Sequence, residues 1–430
     1  MFLTLSADPR SLNSGSGNMG EHVETLVIGA GPAGLSAAHA LARAGRTVTV
    51  LEAQAYVGGA ARTLSFDGFR LDVSGRRLSS ADPAIRAFWT ALLPDELEIA
   101  PGAMRLEGEG RARRGQPGAA LGALISAKLR PIASSKTLGE WLTRRFGRRV
   151  ARRLSAYAEK LWALRPEETP AQPACPSFRS EAGMRPRQGT GQLWKACAEA
   201  VAQAGGEIRL ERQVDGLRRD WSTGVWTVST KAPDGGEEIF TADQVISTMP
   251  LRELMGALTP TPISLFHACE LMYRDQVTVA FTAAPGRRRT PALAEIHGAS
   301  IKAARARALE GEALALDYYC FEGDALWTAD DETLIAQASA EARRLGLVAA
   351  GSVRDAQVVR QRKVHPIHDE ACDEHLKMIG LDLRLHFAGL HLAGRAGAHG
   401  DSAEDQSIRT GLSAAASVLS RVVAPSRIAA

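Results

Sequence analysis

The stretch ETLVIGAGPAGLSAAHALARAGRTVTVLE, Glu24 to Glu52, decides the fold. ETLVIG is a short apolar run of the kind that builds a buried strand. Gly29, Gly31 and Gly34 come next as G-x-G-x-x-G, and Pro32 suits a first helical position. LSAAHALARA is Ala-rich and amphipathic, and Gly45 is its stop signal. TVTVLE is a second, β-branched strand ending on Glu52, 23 positions past Gly29. That order is a βαβ unit whose acid stands about 20 residues beyond the glycines, the arrangement of a dinucleotide site.

Each glycine has a separate job. Gly29 permits the tight turn, Gly31 lets the backbone approach a pyrophosphate, with Ala33 beside it, and Gly34 allows close packing of helix on strand. The helix N-terminus offers free N–H groups and a partial positive charge to the phosphates. Glu52, with Ala53 next to it, can accept hydrogen bonds from a ribose, and its charge discourages a 2′-phosphate. A lone G-x-G-x-x-G is a weak signal. Strand, glycines, helix, second strand and terminal acid in one run make a strong one.

The segment after Glu52 narrows the nucleotide. AQAYVGGAARTLSFDGFRLDVSGRR carries Gly58-Gly59 and then Arg62. Here the sequence resembles the FAD-dependent amine oxidase and protoporphyrinogen oxidase superfamily, in which a GG-x-x-R segment comes after the second strand. The resemblance implies FAD as cofactor, with Gly59, Ala60 and Arg62 against its phosphates or ribose. It places DVSGRR, and so Ser74, Gly75 and Arg76, beneath the isoalloxazine. The implied fold class is α/β: a Rossmann-type FAD-binding domain interleaved with a substrate domain of mixed sheet and inserted helices.

With 430 residues the chain exceeds the usual size of one domain. We assign residues 23–80, 190–260 and 380–430 to a discontinuous FAD-binding domain, and 81–189 and 261–379 to the substrate domain. Residues 1–22, rich in Ser, Gly and Asn, read as a disordered lead-in, with Met19 a candidate start. The formal charge of +4 is a mild excess, and GRARR and GRRVARR read as solvated faces. No recognition helix, zinc spacing or aromatic platform argues for nucleic acid. Cys175, Cys197, Cys269, Cys320 and Cys372 are dispersed, odd in number and form no C-x-x-C, as in a reducing compartment. No run approaches the roughly 18 apolar residues of a membrane span. A cytoplasmic monomer or homodimer acting on a small molecule is the expectation.

Along the chain, Ala84 to about Leu97 reads as helix, and MRLEGEGRARRGQPGAA as a strand and then a loop. Thr137 to Leu164 reads as one strong helical block, with apolar residues at i, i+3 and i+4. RQGTGQLWKACAEAVAQAGG is a turn and a helix, and EIRLERQV a strand. GVWTVSTKAP, EEIFTADQVISTMP, DQVTVAFTAA and ALALDYYC continue as strands. ADDETLIAQASAEARRLGL is a helix with early acids and late arginines, matching the dipole. The superfamily resemblance implies that Val214 offers its backbone to the adenine and that VISTMPL ends a strand beside the nucleotide.

LDYYCFEGDALW, RKVHPIHDEACDEHL and AGRAGAHGDSAEDQSIRTGL together resemble the UDP-galactopyranose mutase-like branch of these flavoproteins, from about Val23 to Val422. In that reading Gly389 and Gly394 admit close backbone approach and Arg395 adds a charge to the phosphates or ring edge. A helix beginning near Asp405, Gln406, Ser407 and Ile408 aims its N–H groups at the ring edge where reduction places negative charge. The chain departs from the branch at SGRR, where relatives have GGHR. It departs again at His365-Pro366-Ile367-His368-Asp369, where they have Y-P-V-Y-D, and at Ser402-Ala403-Glu404-Asp405-Gln406-Ser407, where they have N-N-Q-D-H-S. The tyrosines that would meet a UDP-sugar are absent, as is the aromatic pair of many amine oxidases. Arg76, His365 and His399 are the candidate catalytic residues, the first for a substrate anion and the imidazoles for proton transfer near neutral pH.

The leading expectation is an FAD-dependent oxidoreductase that takes a hydride onto flavin N5 from a small biosynthetic intermediate. The alternatives are a flavin-dependent isomerase of a nucleotide sugar and a non-catalytic flavoprotein scaffold. A single dinucleotide fingerprint leaves no separate nicotinamide domain.

Overall fold

Glu21–Ile28 is the strand around which the first sheet is built, pairing in parallel with Val48–Leu51 on one side and Glu237–Ser247 on the other. It starts inside the segment expected to be a lead-in. The computed structural model describes residues 21–75, 78–80, 82–100, 104–106, 135–169, 171, 183–369, 371–399 and 404–422.

Eight described strands form this sheet. Their order is Leu258–Thr259, Gln213–Arg219, Trp226–Lys231, Glu237–Ser247, Glu21–Ile28, Val48–Leu51 and Glu207–Arg209, with Leu390–Leu392 added in parallel to Glu237–Ser247. The central strands are parallel, and their ends at the cleft, residues 26–28, Val48–Leu51 and residues 245–247, are buried because helices cover them. Pro32–Arg43, Gly191–Gln203 and Glu404–Val422 do so, packing Leu35, Leu41, Trp194, Ile408 and Val418 into one core. A Cβ on Gly411 would overlap the Ala33 carbonyl oxygen, so the first and last helices meet at a glycine.

Six described strands make the second sheet, ordered Arg354–Ile367, Met272–Thr282, Ala313–Cys320, Arg305–Ala308, Ala294–Ile296 and Met104–Leu106. The helix Asp331–Arg344 covers one face through Leu334, Ala338 and Ala342. Asp330 caps it by accepting the Thr333 N–H. The hairpin Thr63–Phe66 with Phe69–Asp72 lies on the other face, where Phe69 and Leu71 meet Ala280, Ala313 and Ala315.

Three local expectations are corrected: the helix expected from Ala84 to about Leu97 is Pro83–Leu92, and Leu97 opens the strand Leu97–Ala100. The block Thr137 to Leu164 is two helices, Leu138–Phe146 and Arg148–Trp162, because Gly147 takes φ 77° and ψ 156°, outside any helix. EIRLERQV is not one strand. Glu207–Arg209 pairs with Val48–Leu51 and Gln213–Arg219 with Trp226–Lys231, and the chain turns between them at Glu211, φ 56°. The loop expected after Met104–Leu106 lies outside the described residues.

Candidate cofactor cleft and active site

Gly29 ends the first strand with φ 99°, left-handed backbone that glycine tolerates. A Cβ there would overlap the Thr248 hydroxyl, which donates to the Ile28 carbonyl at 2.7 Å. On Gly34 it would overlap the Gly29 carbonyl oxygen, so helix and strand touch at that residue. On Gly31 it would meet no protein atom within 4 Å. The helix Pro32–Arg43 starts there with no side-chain cap, leaving its first-turn N–H groups available. Empty space in front of uncapped amides is what a pyrophosphate requires.

Two cavities extend from this turn. The smaller, about 150 Å³, is lined by Gly31, Ala33, Ala60, Ser74, Arg395 and Ser407, among others. The larger, about 470 Å³, is lined by Gly29, Glu52, Ala53, Val214, Glu253 and neighbours. Thr248 lines both. The two spaces therefore run from the acid that ends the second strand to the start of the last helix, Glu404–Val422. Glu52 and Val214 stand at one end of that path, the uncapped amides in the middle and Arg395 at the other.

Glu52 is 9% exposed and accepts N–H bonds from Ala30 at 2.7 Å and Gln54 at 2.9 Å. Burial pushes its carboxyl pKa up, against the pull of those amides. Each oxygen keeps a lone pair for a ribose hydroxyl.

Other expected residues take different places. Arg62 lines neither cavity: it donates to the Gly59 carbonyl at 2.9 Å and stacks 4.5 Å from the Tyr56 ring, bracing the glycine turn. Gly59 is held so close that a Cβ would come within 3.3 Å of Gly31 Cα. Gly75 faces a separate cavity of about 860 Å³ beside Arg307. Gly389 stands away from the cleft, where a Cβ would press on Trp226 at 3.1 Å. Asp405 accepts from the Ser80 hydroxyl, and Gln406 accepts from Arg409. Arg76 lies outside the described residues.

His365 is 2% exposed on Arg354–Ile367, opposite Arg274, with its ring 5.5 Å from that of Tyr319. Arg274 is itself buried, its guanidinium 4.7 Å from Trp162 and 4.5 Å from Tyr319. His399 is 1% exposed, its Nε2 is 3.1 Å from the Ile367 carbonyl, and burial lowers its pKa to about 4. A carbonyl only accepts, so Nε2 carries the proton and the ring is neutral. Cys372 lies 3.6 Å from His368, but burial raises its thiol to about 12, which removes it as a nucleophile at neutral pH.

Sequence reasoning misses Glu253, Lys363 and Glu404, whereas Thr248 lies in VISTMPL, the segment that the resemblance puts beside the nucleotide, without being singled out there. Thr248 stands just past a strand end, a weak signal that is present in the chain. Lys363 and Glu253 carry no motif; strand pairing brings Lys363 to the cleft, and Glu253 reaches it from the helix Leu251–Ala257.

Known proteins resemble this chain at two levels. A profile described as NAD(P)-binding Rossmann-like domain matches residues 27–92, and one described as Flavin containing amine oxidoreductase matches residues 87–419. A putrescine oxidase of Kocuria rosea is 42% identical over 86 residues, which span 20% of this chain and 17% of that protein. Among solved structures, a reduced UDP-galactopyranose mutase aligns with TM-score 0.77 and 17% identity, covering 93% of this chain and 94% of that one. Cyclohexylamine oxidase from Brevibacterium oxydans aligns with TM-score 0.70 and 17% identity, covering 93% and 99%. Putrescine oxidase bound to putrescine aligns with TM-score 0.69 and 18% identity, again covering 93% and 99%. At such identities these structures share the fold. Since the second profile spans more than half of the chain, this protein belongs to the flavin-containing amine oxidoreductase family and is an oxidoreductase with FAD as its cofactor.

Proposed function

We propose that this protein oxidises a small organic intermediate, removing a hydride from a carbon bearing or adjoining an amine, or from a ring awaiting desaturation. FAD supplies the two-electron acceptor at N5. The observation that supports the placement best is the pair of cavities that share Thr248 as a lining residue, the smaller of them lined by both the amino-terminal glycine turn and the start of the last helix. In this reading Gly31, Ala33 and Gly34 hold the pyrophosphate by backbone N–H groups, while Gly29, whose own N–H donates to the Leu51 carbonyl at 2.7 Å, makes the turn that leaves room for it. Glu52, Ala53 and Val214 hold the adenosine, while Ser74, Arg395 and Ser407 line the flavin side. We further propose the division into 23–80, 190–260 and 380–430 against 81–189 and 261–379.

Of the candidate imidazoles, His365 is the one we retain for proton transfer. It stands on the second sheet next to Arg274 and Tyr319. His399 is committed to the Ile367 carbonyl and resists protonation. Arg76 remains our candidate for a substrate anion.

The test is anaerobic mixing of the oxidised holoprotein with panels of amines, amino acids and unsaturated-ring precursors. The visible flavin band is expected to bleach with at least one substrate, with no added reductant. An isomerase would need prior reduction and consume no electrons. Conversion of a nucleotide sugar only by pre-reduced protein would replace the proposal with that reading, and a scaffold would give neither result.

A further inference from the structure

Lys363 has a backbone conformation that ordinary strand packing does not explain. It lies within Arg354–Ile367 at φ 53°, a region a β-carbon disfavours and that persists where the surroundings impose it. A bulge imposes it here. The register against Met272–Thr282 shifts between Arg274 and Gln276, and the Lys363 N–H donates to Asp275 Oδ1 at 2.6 Å. Bulges re-aim side chains. This one sends the ammonium across to Glu253, on the helix Leu251–Ala257 beside the first sheet, with which it forms an ion pair.

That ion pair bridges the two parts of the cleft. Lys363 lines the smaller cavity together with Gly31, Ala33 and Arg395. Glu253 lines the larger one with Glu52 and Val214. Thr248 lines the smaller space with Lys363 and the larger one with Glu253. Glu253 keeps one buried carboxylate oxygen without a hydrogen-bond partner, so it is incompletely satisfied. Burial and the nearby Arg252 push the Lys363 pKa down, and a further anion beside it would relieve that.

We infer that Lys363 is a cofactor-binding cation supplied by the second sheet, which exchanges Glu253 for the pyrophosphate oxygens when FAD is bound. Glu253 is then its counter-ion in the unloaded protein. The inference rests on the proposed placement of the dinucleotide and adds a ligand from outside the βαβ unit. A half-buried ammonium facing phosphate makes charge-assisted hydrogen bonds stronger than neutral ones.

Titration of the full-length apoprotein with FAD, monitored by flavin fluorescence over a range of salt, tests this without any turnover. Lys363→Met is expected to weaken FAD binding roughly ten-fold or more and to flatten its salt dependence. Lys363→Arg should restore binding to within about three-fold, since it keeps the charge. Glu253→Gln should bind FAD as tightly as wild type or more tightly, because the lysine no longer has a competing partner. If Lys363→Met binds like wild type while Gly31→Val fails to bind, the inference falls and the dinucleotide placement stands. If Gly31→Val binds normally, the placement itself falls. If Glu253→Gln weakens FAD as much as Lys363→Met does, the pair is only a structural clasp and the inference is overturned. Thermal unfolding of each apoprotein separates loss of folding from loss of binding.

Discussion

Two residues show how local surroundings set chemistry in this protein. Gly31 is the point where a side chain would enter the empty space in front of the first helix. Gly31→Val is therefore expected to fold and yet purify without colour, and a normal flavin spectrum in that variant would refute the phosphate placement. His399 illustrates a different constraint. Its folded pKa of about 4 lies below the ordinary value of 6.5. Between those values the unfolded chain binds a proton that the native ring refuses, so stability is fully present above about pH 6.5 and is lost as pH falls toward 4. His399→Gln should flatten the dependence of melting temperature on pH across that window. An unchanged slope would show that His399 does not carry it.

At the scale of elements, the loop leading to Ser74 is tied to the second sheet by one buried arginine. Arg307 is 4% exposed and pairs with Asp317 through Nε at 2.9 Å and Nη2 at 2.8 Å, while Nη1 donates to the Asp72 carbonyl at 2.6 Å. Thr278 adds a hydrogen bond to Asp317 at 2.8 Å. Removing one partner leaves a buried carboxylate uncompensated, so Arg307→Ala should cost about 3–5 kcal/mol in chemical denaturation. A loss under about 1 kcal/mol would show that water reaches the pair and that the tie is weak. The crossing of the first and last helices gives a second test. Gly411→Val forces a side chain against the Ala33 backbone and should destabilise the fold by about 1–3 kcal/mol. Since Ala33 lines the smaller cavity, flavin affinity should fall with it.

Considered as a whole molecule, the proposed cofactor cleft draws on the first and last described helices and on a strand between them. The βαβ unit is legible in the sequence because its signals are local: glycine spacing, strand composition and a terminal acid all sit within Glu24 to Glu52. The final helix is legible for a similar reason, a run of small residues after a glycine-rich turn. Gly147 misleads a pattern reading because apolar spacing continues across it while helical backbone does not. Lys363 is invisible to such a reading because a bulge, not a motif, brings it to the cleft, and Glu253 because nothing in its own helix marks it. Arg62 has the expected place in the chain but holds the turn in this structure, a role that spacing cannot distinguish from phosphate contact.

The central claim is that one FAD spans the cleft from the amino-terminal glycine turn to the last helix. Its most direct test is the flavin content of the purified full-length chain, measured by releasing the cofactor and separating FAD from FMN. The account predicts one FAD per chain in the wild type and none in Gly31→Val. A wild-type chain that takes up no FAD even when reconstituted, or a Gly31→Val chain that retains a full complement, would contradict it.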